Sequence, residues 1–253
     1  MVFWQSSFPI LLLHSHSKLS QQCKAGLSVL LVMSFIFIHI PASKAQSDDV
    51  DPFIKVNRNL YAFNQGFDQA IVKPVSKGYD KVVPEFAKRG LSNFFNNIHD
   101  VNVIANDLLQ LKLASALEDS CRLFINSTLG IAGIIDVASD FGLYKNHEDF
   151  GQTLGHWGVG AGPYLVVPFL GNATLRDAIG FFPDYLLNPI FWVDEEAYRH
   201  TLYALDTIDK RLYYMAAESM ISGDEYIFVR NAHLQRREYL VADGEVFDEW
   251  DNY

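Results

Sequence analysis

The sequence predicts a mainly α-helical protein, and three features support this fold class. Apolar residues recur every three or four positions in several segments, as they do along one face of a helix. Helix-start signals stand at Asp51-Pro52, at Pro84-Glu85 and at Asp194, which precedes two acidic residues. Glycines interrupt the most apolar part of the chain, which favours short helices there. No repeat, low-complexity tract or linker divides the chain, so we expect one helical domain over residues 46–242.

The N-terminal 45 residues have the pattern of an export signal. Lys18 and Lys24 precede an apolar run over residues 25–40, and small residues follow it up to Ala45. The alternative is a retained anchor, but a spanning helix needs about 20 apolar residues and this run is shorter. We therefore predict cleavage after about Ala45 and an exported mature chain.

The mature chain is strongly acidic. Of the 20 basic residues, Lys18, Lys24 and Lys44 lie in the signal, which leaves 17 against 30 acidic residues and a formal charge of −13. Such a surface disfavours nucleic acid and contains no polybasic stripe for anionic lipid head groups. Any contact with a membrane must therefore come from apolar surface. Cys121 is the one cysteine after the signal, so no disulfide within the mature chain is possible.

The first half of the domain contains three predicted amphipathic helices. The first begins at Asp51-Pro52 and ends at Lys73-Pro74, and the second begins near Pro84 and reaches Ile98. The third begins near Val101 and can extend as far as Phe124.

The centre of the chain is almost uncharged. Over residues 123–138 the only charge is Asp136, and Gly130 and Gly133 break the segment into two short helices or a hairpin. The glycine-rich stretch 151–171 is expected to be an ordered loop with a short extended piece between Tyr164 and Leu170.

The C-terminal part contains two further predicted helices. One follows Asp194 and ends at Gly223, and the other covers residues 224–240. Residues 243–253 form an acidic tail.

The motifs of catalysis and metal binding are missing from the sequence. There is no G-x-S-x-G segment, and the eight histidines are scattered without zinc-ligand spacing. Gly158, Gly160 and Gly162 are followed by Pro163 and lack the strand-turn-helix context of a nucleotide site. We therefore expect neither an enzyme nor a cofactor.

The segments 123–138 and 179–193 are apolar nearly all round. Such segments are either deeply buried or in contact with lipid. In an exported chain, interfacial embedding is a serious alternative to a buried core. The residues that we expect to face a membrane are the large apolar ones of these segments: Leu129, Ile131, Ile134, Ile135, Phe181, Phe182 and Trp192.

A series of short phrases follows in a specific order over about residues 51–240. The phrases include Asp51-Pro52-Phe53, Tyr61-Ala62-Phe63-Asn64, Arg89-Gly90-Leu91-Ser92-Asn93-Phe94, Arg122-Leu123-Phe124-Ile125-Asn126-Ser127-Thr128-Leu129-Gly130, Phe150-Gly151-Gln152-Thr153-Leu154-Gly155 and Thr174-Leu175-Arg176-Asp177. Together they resemble the MlaA/VacJ family of phospholipid-transport proteins. Each phrase is weak alone, and their order and density make the resemblance specific.

The resemblance implies a ring of amphipathic helices around a central polar channel, lying in the inner leaflet of a bacterial outer membrane. It implies removal of mislocalised phospholipids from the outer leaflet, delivery to a periplasmic lipid carrier, and association with a trimeric porin. Polar groups within apolar helices need partners or a wet lumen. We accordingly expect the channel or its gate to include Asn126, Thr128, Asp136, Gly155, Gly158, Gly160 and Gly162.

One feature departs from the family pattern. Family members are usually lipoproteins with a cysteine directly after the export core, whereas here Ala45-Gln46 stands there and Cys23 precedes the core. We therefore expect a non-lipidated variant at the periplasmic face of the outer membrane, held by its own helices. The alternative from another class is a soluble periplasmic scaffold protein whose aromatic segments are all core.

Overall fold

The computed structural model describes residues 50–215 and 217–244. The predicted signal segment 1–45 and nearly all of the acidic tail lie outside the described residues and remain predictions. The mainly helical fold is confirmed. Within the described residues, no helix is both long enough and apolar enough to span a membrane.

Helices connected by short segments make up most of the described chain, and one two-stranded sheet interrupts them. In chain order the elements are α1 (Ile54–Phe67), a π-helical turn (Asp68–Val72), α2 (Lys73–Val82), α3 (Glu85–Leu109), α4 (Leu113–Thr128), a 3-10 turn (Ala138–Phe141), α5 (Phe150–His156), β1 (Tyr164–Val167), β2 (Gly171–Thr174), α6 (Leu175–Leu187), a 3-10 turn (Pro189–Trp192), α7 (Glu196–Met215), a 3-10 turn (Glu218–Met220) and α8 (Glu225–Val241).

The first predicted helix is longer than the sequence pattern indicated. The prediction of an end at Lys73-Pro74 is wrong, because the chain continues through the π turn into α2 with Pro74 in the first turn of that helix. Proline has no amide hydrogen to donate, and it lies directly after the π turn, where the Lys73 amide donates to the Asp68 carbonyl and the regular helical hydrogen-bond pattern is already interrupted. The predicted cap is also wrong: α1 begins at Ile54, and the Asp51 carboxylate instead accepts a hydrogen bond from Asn57.

The next two helices divide at a different place from the one predicted. Glu85–Leu109 is a single helix whose start at Pro84-Glu85 was predicted, and it continues through the predicted break near residues 98–101. The break lies at residues 110–112, where Leu111 has a φ of 62°. Because the connection is so short, α4 folds back and packs against α3 over much of its length.

The glycine-rich stretch is more regular than the predicted loop. Asp149 accepts a hydrogen bond from the Gln152 amide and begins α5, so residues 150–156 are helical. The predicted extended piece is confirmed as β1, which pairs antiparallel with β2 in a register that places Tyr164 opposite Thr174. Thr174 then starts α6 with a capping box that Asp177 completes.

A close contact between glycines joins α5 to α6. A Cβ atom at Gly180 would lie 2.7 Å from the backbone nitrogen of Gly151, so only glycine fits at that position.

The helix predicted to begin at Asp224 is confirmed, since the Asp224 carboxylate accepts a hydrogen bond from the Ile227 amide at 3.1 Å. The preceding helix ends at Met215 rather than at the predicted Gly223.

The apolar core of the described chain is small. Tyr164 and Val166 of β1 pack with Tyr226 of α8, and partly buried residues of α1 cover them. Asn57 joins α1 to this core because its amide donates to the Tyr164 carbonyl at 3.0 Å and its oxygen accepts from the Val166 amide at 3.0 Å. The strand pair is therefore held between two helices from opposite ends of the described chain.

Candidate functional site

The interface between α3 and α4 is lined mainly by polar side chains. The buried side chains of α4 are Ala116, Asp119, Arg122 and Asn126, and those of α3 are Phe95, Asn97, Asp100, Val103, Asn106 and Asp107. Of these, Asn106 bonds Thr153 of α5 and Asp184 of α6 rather than α4. Among the buried residues of the described chain, polar and charged side chains outnumber apolar ones. This is the reverse of an ordinary water-soluble core, where buried polar groups are the exception.

The outer faces of the same helices are apolar. On α4, Leu113, Leu117 and Phe124 are each about two thirds exposed, with values of 66%, 66% and 68%. On α3, Phe86, Leu108 and Leu109 are also exposed. Two helices that pair through polar faces and direct large apolar side chains outward have the distribution expected where the surroundings are themselves apolar.

A buried cluster of charges lies at the centre of the α3–α4 interface. The Asp100 side chain is fully buried, and Lys145 Nζ and Arg122 Nε contact its two carboxylate oxygens, the latter at 3.4 Å. Burial raises the pKa of Asp100 and lowers that of Lys145, while their opposite charges favour the ionised form of each. The two cations compensate a carboxylate that burial would otherwise neutralise.

The same arginine holds the connection that follows α4. Its Nη2 lies 2.9 Å from Oδ2 of Asp136, and its Nη1 donates to the Leu143 carbonyl at 2.7 Å. Asn126 adds a hydrogen bond to the Asp136 carboxylate at 2.9 Å and accepts one from the Ala138 amide. Burial opposes ionisation of Asp136, but the hydrogen bonds from Arg122, Ser139 and Asn126 outweigh it and lower the pKa.

These contacts fix an apolar turn, by which we mean residues 129–137. Glycine is required at two of its positions. A Cβ at Gly130 would clash with the Ile135 carbonyl oxygen. Gly133 has a φ of +87°, which favours glycine, and a Cβ there would lie 2.5 Å from Cβ of Asn97. The large side chains of the turn, Leu129, Ile131, Ile134 and Ile135, are all exposed. The turn is therefore anchored by charges on its inner side and apolar on its outer side.

A second buried acidic group lies farther along the same interface. Asp107 is 1% exposed, its Oδ2 atom has no hydrogen-bond partner among the described residues, and Asp119 of α4 lies beside it. Burial, a hydrogen bond to Asp119 and the charges of Asp119 and Glu148 raise the pKa of Asp107 to about 7. Burial and the neighbouring negative charges therefore favour the protonated form of Asp107.

We expect loss of the Asp107 proton to make the fold less stable as the pH rises. The folded chain keeps a proton on Asp107 that the unfolded chain releases near pH 4. The contribution of Asp107 to the free energy of unfolding is therefore complete below pH 4 and is lost as the pH rises through about 7. Between pH 5.5 and 8, Asp107 should lower the free energy of unfolding by about 2 kcal/mol. Urea unfolding of the full chain at both pH values measures this change.

The Asp107→Asn variant is the matched control, because asparagine keeps the shape of the protonated acid and does not titrate. Burial also raises the pKa of Asp184 to about 7, but that group titrates equally in both proteins. Between pH 5.5 and 8, the free energy of unfolding of the variant should therefore fall by about 2 kcal/mol less than that of the unmodified chain. Parallel pH profiles for the two proteins would show that no proton is held at Asp107.

The structure brings together only part of the predicted channel set. Asn126 and Asp136 are in direct contact in the buried network, whereas Thr128 is exposed and its hydroxyl donates to the Phe124 carbonyl. The predicted glycines lie at a different place: Gly155 packs against Val241 and Arg176, and Gly162 packs against Leu175. Gly158 and Gly160 are exposed in the loop before β1. A channel role for these residues remains a prediction.

The predicted membrane-facing residues lie mostly at the surface. The four of the apolar turn are exposed, as are Phe182 of α6 and Trp192, whereas Phe181 is half-buried. Their exposure leaves them available for contact with lipid.

Sequence reasoning missed Asp100, Asp107, Asp119 and Lys145, which are central to the interface. A signal for the first three exists, since Asn97, Asp100 and Asp107 recur at helical spacing, as do Asp119, Arg122 and Asn126. Two polar stripes on neighbouring helices can predict a polar interface. Lys145 gives no such signal because it lies in an irregular segment. In residues 50–215 and 217–244, no three potential metal ligands are grouped to hold an ion.

Several known proteins are similar to this chain. The family model described as MlaA lipoprotein matches residues 49–240. The intermembrane phospholipid transport system lipoprotein MlaA of Escherichia coli K12 is 34% identical over 235 residues, 88% of this chain and 91% of its own length. An uncharacterized protein of Rickettsia prowazekii is 33% identical over 201 residues, 78% of this chain and 80% of its own length.

A solved structure is similar as well. It comes from work on the structural basis for maintenance of bacterial outer membrane lipid asymmetry, and its TM-score is 0.67 at 32% sequence identity. The match covers 76% of this chain and 98% of the solved chain.

The fold and the site define a helical protein with a polar, charge-containing interior and large apolar side chains on its surface. The extent of the family match and the identity with the Escherichia coli protein decide the family. The chain belongs to the MlaA family.

Proposed function

We propose that this chain removes mislocalised phospholipids from the outer leaflet of the outer membrane and passes them to a periplasmic lipid carrier. It works at the periplasmic face of that membrane, in contact with a trimeric porin, and without catalysis. The single observation that carries the proposal is the inverted α3–α4 pair, with Asp100, Arg122 and Asp119 inside and Leu117 and Phe124 outside. Family membership supports it, because characterised relatives are named as phospholipid transport lipoproteins.

The physical basis is the cost of moving a charged head group across hydrocarbon. A phosphate in an apolar medium without partners is strongly unfavourable, and polar side chains and water along a path through the protein lower that barrier. The acyl chains need no such path, since the exposed apolar surface of the helices solvates them as lipid does. A polar interior with an apolar exterior separates the two parts of the lipid in this way.

The proposal predicts two results in a Gram-negative cell that lacks its own copy of the gene. Phospholipid should accumulate in the outer leaflet and detergent sensitivity should rise, and expression of the full chain should reverse both. Outer-leaflet phospholipid is measured by labelling intact cells. Unchanged asymmetry in the deletion strain, or no reversal by the chain, would contradict the transport function. Turnover in a phospholipase assay would contradict the absence of catalysis.

Membrane attachment is tested on the same cells with variants of the exposed face of α4. Replacing Leu117 and Phe124 together by glutamate removes burial of two large side chains, each contributing roughly 1.5–3 kcal/mol. The double variant should leave the membrane fraction after a carbonate wash, whereas the unmodified chain should stay. Glutamates at the exposed polar positions Asn59 and Asn231 add the same charge and should change nothing. A soluble scaffold protein would instead appear in the wash without any substitution.

A further inference from the structure

Two grooves run side by side along the first half of α3. The larger has a volume of about 620 Å³ and lies between Phe86, Arg89, Asn93 and Ile135. The smaller has a volume of about 310 Å³ and is lined by Ala87, Leu91 and Phe94 among others. Both volumes are within the usual size of ligand sites, roughly 300–1,000 Å³.

Ile134 of the apolar turn lines both grooves, together with Phe86 and Gly90 of α3. Arg89 and Asn93 lie on one side of this row and line only the larger groove, whereas the residues of α3 on the other side line only the smaller one. Ile134 can lie so close to α3 because residue 90 is glycine: a Cβ there would be 3.0 Å from Cγ2 of Ile134. Asn93 fixes the same residue by donating its side-chain amide to the Ile134 carbonyl at 3.1 Å. Ile134 is therefore held between the grooves by a specific contact and a specific hydrogen bond.

The larger groove has a cation at its edge with donors to spare. Arg89 is exposed, and only its Nε is engaged, 3.2 Å from Glu85; its two terminal nitrogens have no hydrogen-bond partner within the part of the chain that the structure describes. Lys88 differs, because its Nζ contacts both Asp80 and Glu85, at 2.6 and 2.9 Å. The Glu85 charge is thus shared by two cations, and the Arg89 guanidinium can still bind an oxyanion in bidentate fashion.

We propose that this pair of grooves binds one diacyl phospholipid, with an acyl chain on each side of Ile134 and the phosphate at Arg89. This inference rests on the proposed function and adds the place at which the protein holds its lipid. Two adjacent, largely apolar grooves with Ile134 between them fit two chains joined at one end. The Arg89 cation at the edge of the larger groove complements the phosphate, and Glu85 in the same groove is paired with Lys88. The head group then lies at the surface beside α3, and the chains lie against the apolar turn.

The test is binding of dioleoylphosphatidylglycerol to the purified full chain in detergent, followed by native mass spectrometry. The unmodified chain should bind one lipid. The Arg89→Glu variant should bind at least about tenfold more weakly, because a charge-assisted contact is replaced by repulsion. Lys81→Glu is the matched control: Lys81 is exposed on the preceding helix, lines neither groove and undergoes the same charge reversal, so binding should not change.

The acyl-chain part of the site is tested by filling the larger groove. Ile135→Trp should weaken binding at least about tenfold, whereas Leu129→Trp, at another exposed position of the same turn that lies outside both grooves, should not. Circular dichroism melting of each variant shows whether it folds, and a pair is compared only when both melt like the unmodified chain. The deacylated head group glycerophosphoglycerol should not bind.

Three results would overturn the inference. They are equal binding by Arg89→Glu and Lys81→Glu, unchanged binding by Ile135→Trp, or binding of glycerophosphoglycerol as tight as that of the lipid. The last would indicate an anion site without acyl-chain recognition. Restored lipid asymmetry in cells together with any of these results would reject the groove and leave the transport function standing. A chain that binds lipid in the grooves but restores no asymmetry would reject the transport function alone.

Discussion

Replacing Arg122 by methionine should lower the free energy of unfolding by roughly 3–5 kcal/mol, the cost of leaving a buried charge without its partner. Arg122 is 2% exposed and contacts both Asp100, which is fully buried, and Asp136. Methionine fills much of the same volume but compensates neither carboxylate. The apolar turn would also lose its strongest link to α4, because Nη2 of Arg122 lies 2.9 Å from Asp136.

The measurement is equilibrium urea unfolding of the full chain in detergent, followed by circular dichroism at 222 nm. The control is Arg89→Met, which removes an exposed ion pair with Glu85 of the kind that contributes about 1 kcal/mol or less. If the Arg122 variant is too unstable to purify, Arg122→Lys keeps one charge and should be intermediate between it and the unmodified chain. Equal midpoints for the Arg122 and Arg89 variants would show that the buried cluster does not stabilise the fold.

Replacing Asn57 by alanine should have a similarly large effect and lower the free energy of unfolding by roughly 3–5 kcal/mol. This side chain is 2% exposed and makes three hydrogen bonds, to the Asp51 carboxylate, the Tyr164 carbonyl and the Val166 amide. Alanine leaves the two backbone groups of β1 buried without partners, and each such group costs about 1–3 kcal/mol. The contact between α1 and the strand pair would weaken directly.

The comparison variant is Asn64→Ala, about two helical turns farther along the same face of α1. Asn64 makes similar bonds to the hairpin, donating to the Val167 carbonyl and accepting from the Phe169 amide, but it is only half-buried. Water can replace part of what is lost there, so the free energy of unfolding should fall by only about 1 kcal/mol. Similar losses for the two variants in urea would contradict the view that burial makes the Asn57 contacts stronger.

The sequence was informative where helix signals are local. Pro84-Glu85 marked the start of α3, and Asp224 marked the start of α8, because a cap acts within one turn of the backbone. It misled where a longer-range contact decides the outcome. Asp51-Pro52 has the local form of a cap, yet Asp51 bonds Asn57, Tyr226 and Arg230 instead. Likewise Pro74 resembles a helix end, but the π turn before it allows the chain to continue.

In the candidate site, too, the sequence indicated what depends on nearby residues and not what depends on contacts between distant segments. Asn126 and Asp136 were recognised because polar groups in an apolar segment need partners, and the structure supplies those partners in each other and in Arg122. The glycines at 155–162 were grouped with them, but Gly155 packs against α6 and α8, Gly162 packs against α6, and Gly158 and Gly160 are exposed. Spacing along a chain does not say which separate segments meet, so this grouping could not be decided in advance.

The sequence by itself determined the mainly helical fold class, through the periodicity of its apolar residues and its helix-start signals, and the break in its apolar centre at Gly130 and Gly133. Only the tertiary structure decided which helix faces are inside. On α3 and α4 the polar faces meet around Asp100 and Arg122, and Leu117 and Phe124 point outward. The physical reason is that periodicity separates two faces of a helix without ranking them: which face is buried depends on the partner helix and on whether water or lipid surrounds the pair.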